Sequence, residues 1–112
     1  MKNCRKERPE MITKLSFDEA HLMLRDDPTI TLIDVREEPE YITGHAADAQ
    51  LLPVDEITAE SADELIPDKD SPVMVYCRTG MRSARAAKML EDLGYRKIYD
   101  MGSLVGWPYG LT

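Results

Sequence analysis

The segment Cys77-Arg78-Thr79-Gly80-Met81-Arg82-Ser83 is where residue types and spacing in this chain could do chemistry. The cysteine follows the apolar, β-branched run Val73 to Tyr76 and precedes an alanine-rich stretch, so the thiol sits where a buried strand ends and a helix begins. Open α/β sheets bind ligands at that edge. Successive backbone N–H groups of such a turn converge on one point, the following helix adds the positive end of its dipole, and Gly80 permits close approach or positive φ. The loop is read as an anion holder built around a nucleophile. An ordinary thiol, with a pKa of about 8.5, is a few per cent ionised at neutral pH. A lowering of about two units, each worth about 1.4 kcal/mol, makes thiolate the majority form. Arg78 and Arg82 flank the cysteine and are expected both to favour its thiolate and to attract an anionic substrate.

Charge distribution supports this reading. The chain holds 14 Lys and Arg against 21 Asp and Glu, a net charge of −7. From Cys77 to Lys97, six basic residues stand against Glu91 and Asp92, a local +4 that leaves −11 for the remainder. An acidic protein that gathers positive charge around its internal cysteine is arranged to draw an anion to that thiol, whereas the molecule as a whole repels nucleic acid and anionic lipid. The other reading of the same charges is a solvated basic helix face. No apolar run approaches the roughly twenty residues of a membrane span. Residues 1–10 are charged and lack an apolar core, so they do not read as a secretory signal, and a cytoplasmic location is the expectation. Cys4 and Cys77 are the only cysteines, too few for a disulfide framework or a zinc site. No metal or cofactor is expected.

The elements that must position this loop follow from periodicity. At 112 residues with 43% hydrophobic and 31% charged residues, the chain reads as one domain over 11–112 behind a polar tail, 1–10. Strands are predicted at Ile12 to Leu15, Thr29 to Val35, Ala49 to Leu52, Val73 to Tyr76 and Lys97 to Asp100. Ser16 with Glu19 predicts a capping box opening a helix through Leu24. A short helix is predicted from Pro39 to Ile42, closed by Gly44, and an acidic one over Asp55 to Ile66. Ala86, Ala87, Leu90 and Leu93 recur at helical spacing, predicting a helix from Ser83 to Leu93 with Gly94 just past its end. Strands alternating with helices predict an α/β fold, an open parallel sheet of about five strands with helices on both faces.

Three spaced blocks then resemble the rhodanese-like sulfurtransferases from about Ile12 onward. Asp34-Val35-Arg36-Glu37 with Glu40-Tyr41 and Gly44-His45 is similar to the family's D-V-R-E-x-x-E-[FY]-x-x-G-H run. Cys77-x-x-Gly80-x-Arg82-Ser83 with Ala86, Ala87 and Leu90 is similar to its catalytic loop and helix. Gly102-Ser103-Leu104-Val105-Gly106-Trp107 is close to its G-G-x-x-x-W. Two departures stand out. Ala46 to Pro53 lacks the family's turn proline, glycine and asparagine, which puts the local turn in question, and Ser103 replaces the second glycine, which is expected to reshape the pocket wall near Trp107.

The resemblance implies that Cys77 attacks the sulfane sulfur of a small anionic donor such as thiosulfate and carries it as a persulfide to a thiol or cyanide. It further implies that the backbone amides of Arg78, Thr79, Gly80, Met81 and Arg82 cradle that sulfur, with the two arginine side chains on the donor. Asp34, Arg36 and Ser83 are expected to support the site. Arg82 has two compatible roles, pairing with Asp34 at the end of the neighbouring strand and touching substrate, while Arg36 and Glu40 are expected to form a local ion pair. His45 reads as a structural turn residue, and Trp107 as core packing or pocket wall. Competing readings are a buried, inert Cys77, a cysteine phosphatase or arsenate reductase, and a non-catalytic rhodanese-like module that binds partners, against which the retention of Cys77 argues. In the phosphatase and arsenate reductase signature five residues separate Cys and Arg, whereas here four do, and the shorter loop favours sulfur transfer over phosphoryl transfer.

Overall fold

The computed structural model describes residues 11–112; the segment 1–10, including Cys4 and the expected tail, lies outside the described residues. Val73–Cys77 (β4) is the strand around which the fold is organised: all five residues are buried, as its unbroken apolar sequence requires. It pairs in parallel with Thr31–Asp34 (β2) on one side and Ile98–Ser103 (β5) on the other, so its backbone groups find partners on both edges. Ile12–Lys14 (β1) adds beyond β5 and Gln50–Leu51 (β3) beyond β2, giving an all-parallel sheet of five strands in the order β1-β5-β4-β2-β3.

Alternation along the strands divides the core in two. Ile33, Val35, Val73, Val75 and Cys77 point to one face, where they pack with Ala62, Ala86, Ala87 and Leu90. Leu32, Met74 and Tyr76 point to the other, against Ala20, Met23 and Tyr41. Helices Ala59–Leu65 (α3) and Met81–Asp92 (α4) therefore cover the first face, and Phe17–Asp26 (α1) and Glu38–Thr43 (α2) the second. This is the two-sided α/β sheet that the alternation predicts. Among the described residues, no helix is long and apolar enough to cross a membrane.

Helix α1 begins as its spacing predicts: Glu19 N–H donates to Ser16 Oγ at 3.1 Å and Ser16 N–H to Glu19 Oε1 at 2.8 Å. Helix α4 starts at Met81, two residues before the predicted Ser83. Its apolar stripe marks only the core-facing residues, and Met81, which is 80% exposed, and the partly exposed Arg82 carry no such mark. The acidic segment expected as one helix over Asp55 to Ile66 is instead a 3-10 turn at Val54–Glu56 and then α3, separated by extended, buried Ile57. Thr58 and Ser61 form a reciprocal cap at 3.0 and 2.8 Å that starts a new helix there. Strand β5 runs on to Ser103, past the predicted Asp100, because a register shift opposite Val75 and Tyr76 carries it alongside the cysteine end of β4.

Candidate active site

The loop after β2 leads outward to β3, and the loop after β4 leads the other way to β5, so the chain reverses its winding direction between these two central strands. Cys77 lies at that switch point, as the last residue of β4. Its Sγ accepts the backbone N–H of Gly80 at 2.9 Å and that of Ser83 at 3.3 Å. Gly80 makes this closure possible: at φ 97° and ψ −17° it occupies the left-handed region that side chains disfavour, and it serves as the N-cap of α4. Ser83, fully buried, donates its hydroxyl to Gly80 O at 3.1 Å and holds the far end of the turn. The sulfur thus sits at the positive end of a 12-residue helix with two amides directed at it.

Cys77 itself has no exposed surface and belongs to the apolar cluster of its face. Burial alone is what an inert core thiol would show. Two backbone donors converging on Sγ are not, since a thiol among aliphatic side chains needs no such partners.

The flanking arginines separate. Arg78 and Thr79 are exposed on the loop, and among the described residues no carboxylate pairs with Arg78. Arg82 is not paired with Asp34, as one expectation held; it forks onto Glu40, Nη1 to Oε1 at 2.8 Å and Nη2 to Oε2 at 2.9 Å. Nor do Arg36 and Glu40 form the expected local pair. Arg36 folds back on Asp34, donating from Nε at 2.9 Å and Nη2 at 2.7 Å, and also reaches Gly44 O at 2.7 Å. Asp34, fully buried, takes in addition the Arg36 backbone N–H at 2.9 Å and the Tyr76 hydroxyl at 2.7 Å, which leaves no room for a second arginine. Burial, with Asp34 as hydrogen-bond acceptor, pushes the Tyr76 hydroxyl far above its ordinary range, so it remains a donor. Glu40 is then free to cross the crevice from α2 to α4.

Hydrogen bonds from Arg82 pull the Glu40 carboxyl from its ordinary 4.5 down to about 2. A depressed acid stabilises the fold above its unfolded-state pKa and loses that contribution as pH falls through the folded-state value. With both side chains about 30% exposed, the pair is worth on the order of 1 kcal/mol after solvent screening. Glu40→Gln is accordingly expected to be less stable than the parent at pH 7 by that amount and to converge with it between pH 4.5 and 2, read from denaturant midpoints. A stability gap that persists at pH 2 contradicts this.

Sequence reasoning considered Glu40 only as a partner of Arg36 and missed the Tyr76 hydroxyl altogether. The signal for Tyr76 was a polar-tipped residue inside an otherwise apolar buried strand. His45 stacks on Tyr41 with ring centroids 3.8 Å apart, and its backbone exchanges hydrogen bonds with Thr112 at 3.1 and 2.8 Å. The altered segment still turns: Ala49 N–H reaches Ala46 O at 3.0 Å, and Asp48 takes the positive φ, 67°, that an aspartate tolerates. Trp107 packs edge-on to Phe17 at 5.4 Å on the sheet face opposite Cys77, so it is core packing and not a wall of the cysteine site. Ser103 correspondingly acts elsewhere than expected: its hydroxyl donates to Arg78 O in the cysteine loop.

A doubly covered parallel sheet that presents a thiol to converging amides at its switch point defines an α/β protein with a cysteine loop at the head of a helix. Residues 16–108 match the family model of the rhodanese-like domain, and the chain belongs to that family. It is 31% identical over 98 residues to a sulfurtransferase of Allochromatium vinosum, covering 87% of this chain and 89% of that one. It is 35% identical over 72 residues to the thiosulfate sulfurtransferase PspE of Escherichia coli, covering 64% and 68% respectively. A tRNA uridine(34) hydroxylase of Erwinia tasmaniensis is 33% identical over 88 residues, but this chain spans only 25% of its length. Among solved structures, a rhodanese with anions from E. coli superposes with a TM-score of 0.69 at 30% identity, covering 74% of this chain and 96% of that one.

Proposed function

We propose that this protein is a sulfurtransferase that moves sulfane sulfur from a small anionic donor such as thiosulfate to a thiol or cyanide through a Cys77 persulfide. The carrying observation is the pair of backbone N–H groups from Gly80 and Ser83 on Sγ, at the head of α4. In the first half-reaction the thiolate electron pair forms a bond to the outer sulfur of thiosulfate. The sulfur–sulfur bond of the donor breaks, and its pair leaves on sulfite. Total charge is conserved: thiolate and thiosulfate dianion become persulfide anion and sulfite dianion. In the second half-reaction cyanide or an acceptor thiolate attacks the outer sulfur, and Cys77 departs as thiolate, ready for the next donor. No proton need move and no metal or cofactor takes part. In this reading the Gly80 and Ser83 amides hold Sγ and the backbone amides of residues 78–82 receive the charge on the outer sulfur, which is electrostatic stabilisation by preorganised dipoles.

The names of the relatives from A. vinosum and E. coli support this reading, and so does the anion-bearing rhodanese neighbour. The overall charge of −7 argues against nucleic acid and anionic membranes as partners, and a thiol kept for catalysis suits the reducing cytoplasm. The test is chemical. Protein treated with thiosulfate and freed of reagent should carry one extra sulfur atom on Cys77 by intact mass and peptide mapping, removable by cyanide or a small thiol. Absence of that sulfur after thiosulfate, mercaptopyruvate and a persulfidated protein would leave a non-catalytic binding module.

Because Arg78 lacks a carboxylate partner among the described residues while Arg82 is already held by Glu40, donor attraction falls to Arg78. Arg78→Ala is expected to raise the apparent KM for thiosulfate several-fold at low salt, and Arg82→Ala less, with both effects shrinking at high salt. Equal KM values for Arg78→Ala and the parent would assign anion binding to the backbone amides alone.

A further inference from the structure

We propose that Ser103 is a positioning residue for sulfur transfer, its hydroxyl holding the Arg78 carbonyl so that the amides of the cysteine loop stay aimed at the sulfur. The inference rests on the sulfurtransferase reading and deepens it. Ser103 is the register partner of Cys77 across β4 and β5, so it stands beside the first residue of the loop. From there the end of β5 grips the loop twice: Leu104 N–H donates to Cys77 O at 2.8 Å, and Ser103 Oγ donates to Arg78 O. The hydroxyl is itself oriented, because it accepts Val105 N–H at 3.0 Å. Its donor and an acceptor lone pair are both engaged, which leaves the rotamer one choice.

A trans peptide is planar, with C=O and N–H opposed across it. Holding the Arg78 carbonyl toward β5 therefore fixes the Thr79 N–H in the opposite direction, and with it the path by which Gly80 N–H reaches Sγ at 2.9 Å. Ser83 Oγ performs the same task on the helix side through Gly80 O. Among the described residues these two hydroxyls are the only side chains that hydrogen-bond to carbonyls of the segment 78–82. Between them they clamp an otherwise exposed turn at both ends. A glycine at this position, as in the family pattern, has no hydroxyl and would leave the Arg78 carbonyl without its side-chain donor, keeping only the backbone grip.

This predicts an asymmetric kinetic signature. The persulfide places negative charge on its outer sulfur, where the loop amides must receive it. Loosening those amides makes charging by the donor less favourable, whereas in discharge the weaker support for the departing Cys77 thiolate is offset by the higher reactivity of a less stabilised persulfide. In a two-step transfer the kcat/KM for donor and that for acceptor report the two half-reactions separately. For Ser103→Ala and Ser103→Gly, kcat/KM for thiosulfate should fall about tenfold, the scale of one hydrogen bond to a charged group. In the same variants kcat/KM for cyanide should stay the same or rise, and Ser103→Thr, which keeps the hydroxyl, should recover the donor value. Donor efficiency within twofold of the parent in all three variants overturns the proposal, and so does a parallel loss of both efficiencies with the melting temperature, which marks a general packing defect. If the parent accepts sulfur from no donor, the sulfurtransferase reading itself has failed. The clamp is then judged by amide hydrogen exchange at Thr79 and Gly80: acceleration in Ser103→Ala with restoration in Ser103→Thr upholds it, and unchanged exchange removes it.

Discussion

Cys77→Ser is expected to abolish sulfur transfer from thiosulfate, a loss on the order of 10⁴-fold or more in turnover, while leaving the fold intact. The substitution exchanges sulfur for oxygen in the same place. A serine hydroxyl still accepts the Gly80 and Ser83 N–H groups and still fits a site with no exposed surface, so the β4 to α4 turn keeps its geometry. What disappears is the nucleophile: an alkoxide is not accessible at neutral pH, and oxygen cannot store a sulfane sulfur as a persulfide does. Thiocyanate formation from thiosulfate and cyanide measures the loss, and a thermal melt confirms that it is not unfolding. Substantial thiocyanate production by folded Cys77→Ser would end the assignment of Cys77 as nucleophile.

The second large effect is on stability and arises one strand away. Asp34 is fully buried with its charge met by Arg36 and its remaining acceptor capacity by Tyr76 and the Arg36 backbone. Asp34→Ala leaves the Arg36 guanidinium, whose side chain is only 9% exposed, without a counter-charge and the Tyr76 hydroxyl without its acceptor. Breaking a buried pair from one side typically costs about 3–5 kcal/mol, because the surviving charge stays desolvated. Against a total stability of about 5–15 kcal/mol, that is a large part of what holds the domain folded. Urea unfolding should show a midpoint lowered in proportion, with unchanged m value. A change below about 1 kcal/mol would mean that water enters the site and solvates Arg36. Where Asp34→Ala remains folded, its donor kinetics should change little, since Asp34 makes no contact with Sγ; its role is to hold the strand end from which α2 and Glu40 depart.

The local devices of this protein are written in consecutive residues, and reading them needed no tertiary information. Ser16 and Glu19 announce the α1 cap because a capping box is a contact between neighbours three apart. The buried parallel strand at Val73 is announced by an unbroken apolar run, and the cysteine turn at the head of α4 by a cysteine, a glycine and a helix stripe within a dozen residues. The alternation of strands and helices decided the two-sided α/β sheet for the same reason, since each period reports which face a segment must bury. Element ends were less legible. The α4 start at Met81 carries no apolar mark, and the break at Ile57 depends on Thr58 and Ser61 outcompeting helix continuation.

What the amino-acid order alone left undecided is every partnership that spans the crevice. Whether Asp34 would meet Arg36 or Arg82 depends on which side chains the strand order brings together at the ends of β2 and β4, and Arg36 wins because it follows Asp34 within the same buried turn. That choice releases Glu40 to Arg82, 42 residues away. Ser103 likewise becomes a clamp on the cysteine loop only because the register shift in β5 sets it opposite Cys77. Periodicity states which face a residue buries, but a charge or a hydroxyl finds its partner only when the packed strands fix the distance, and at these sites that distance is a property of the sheet.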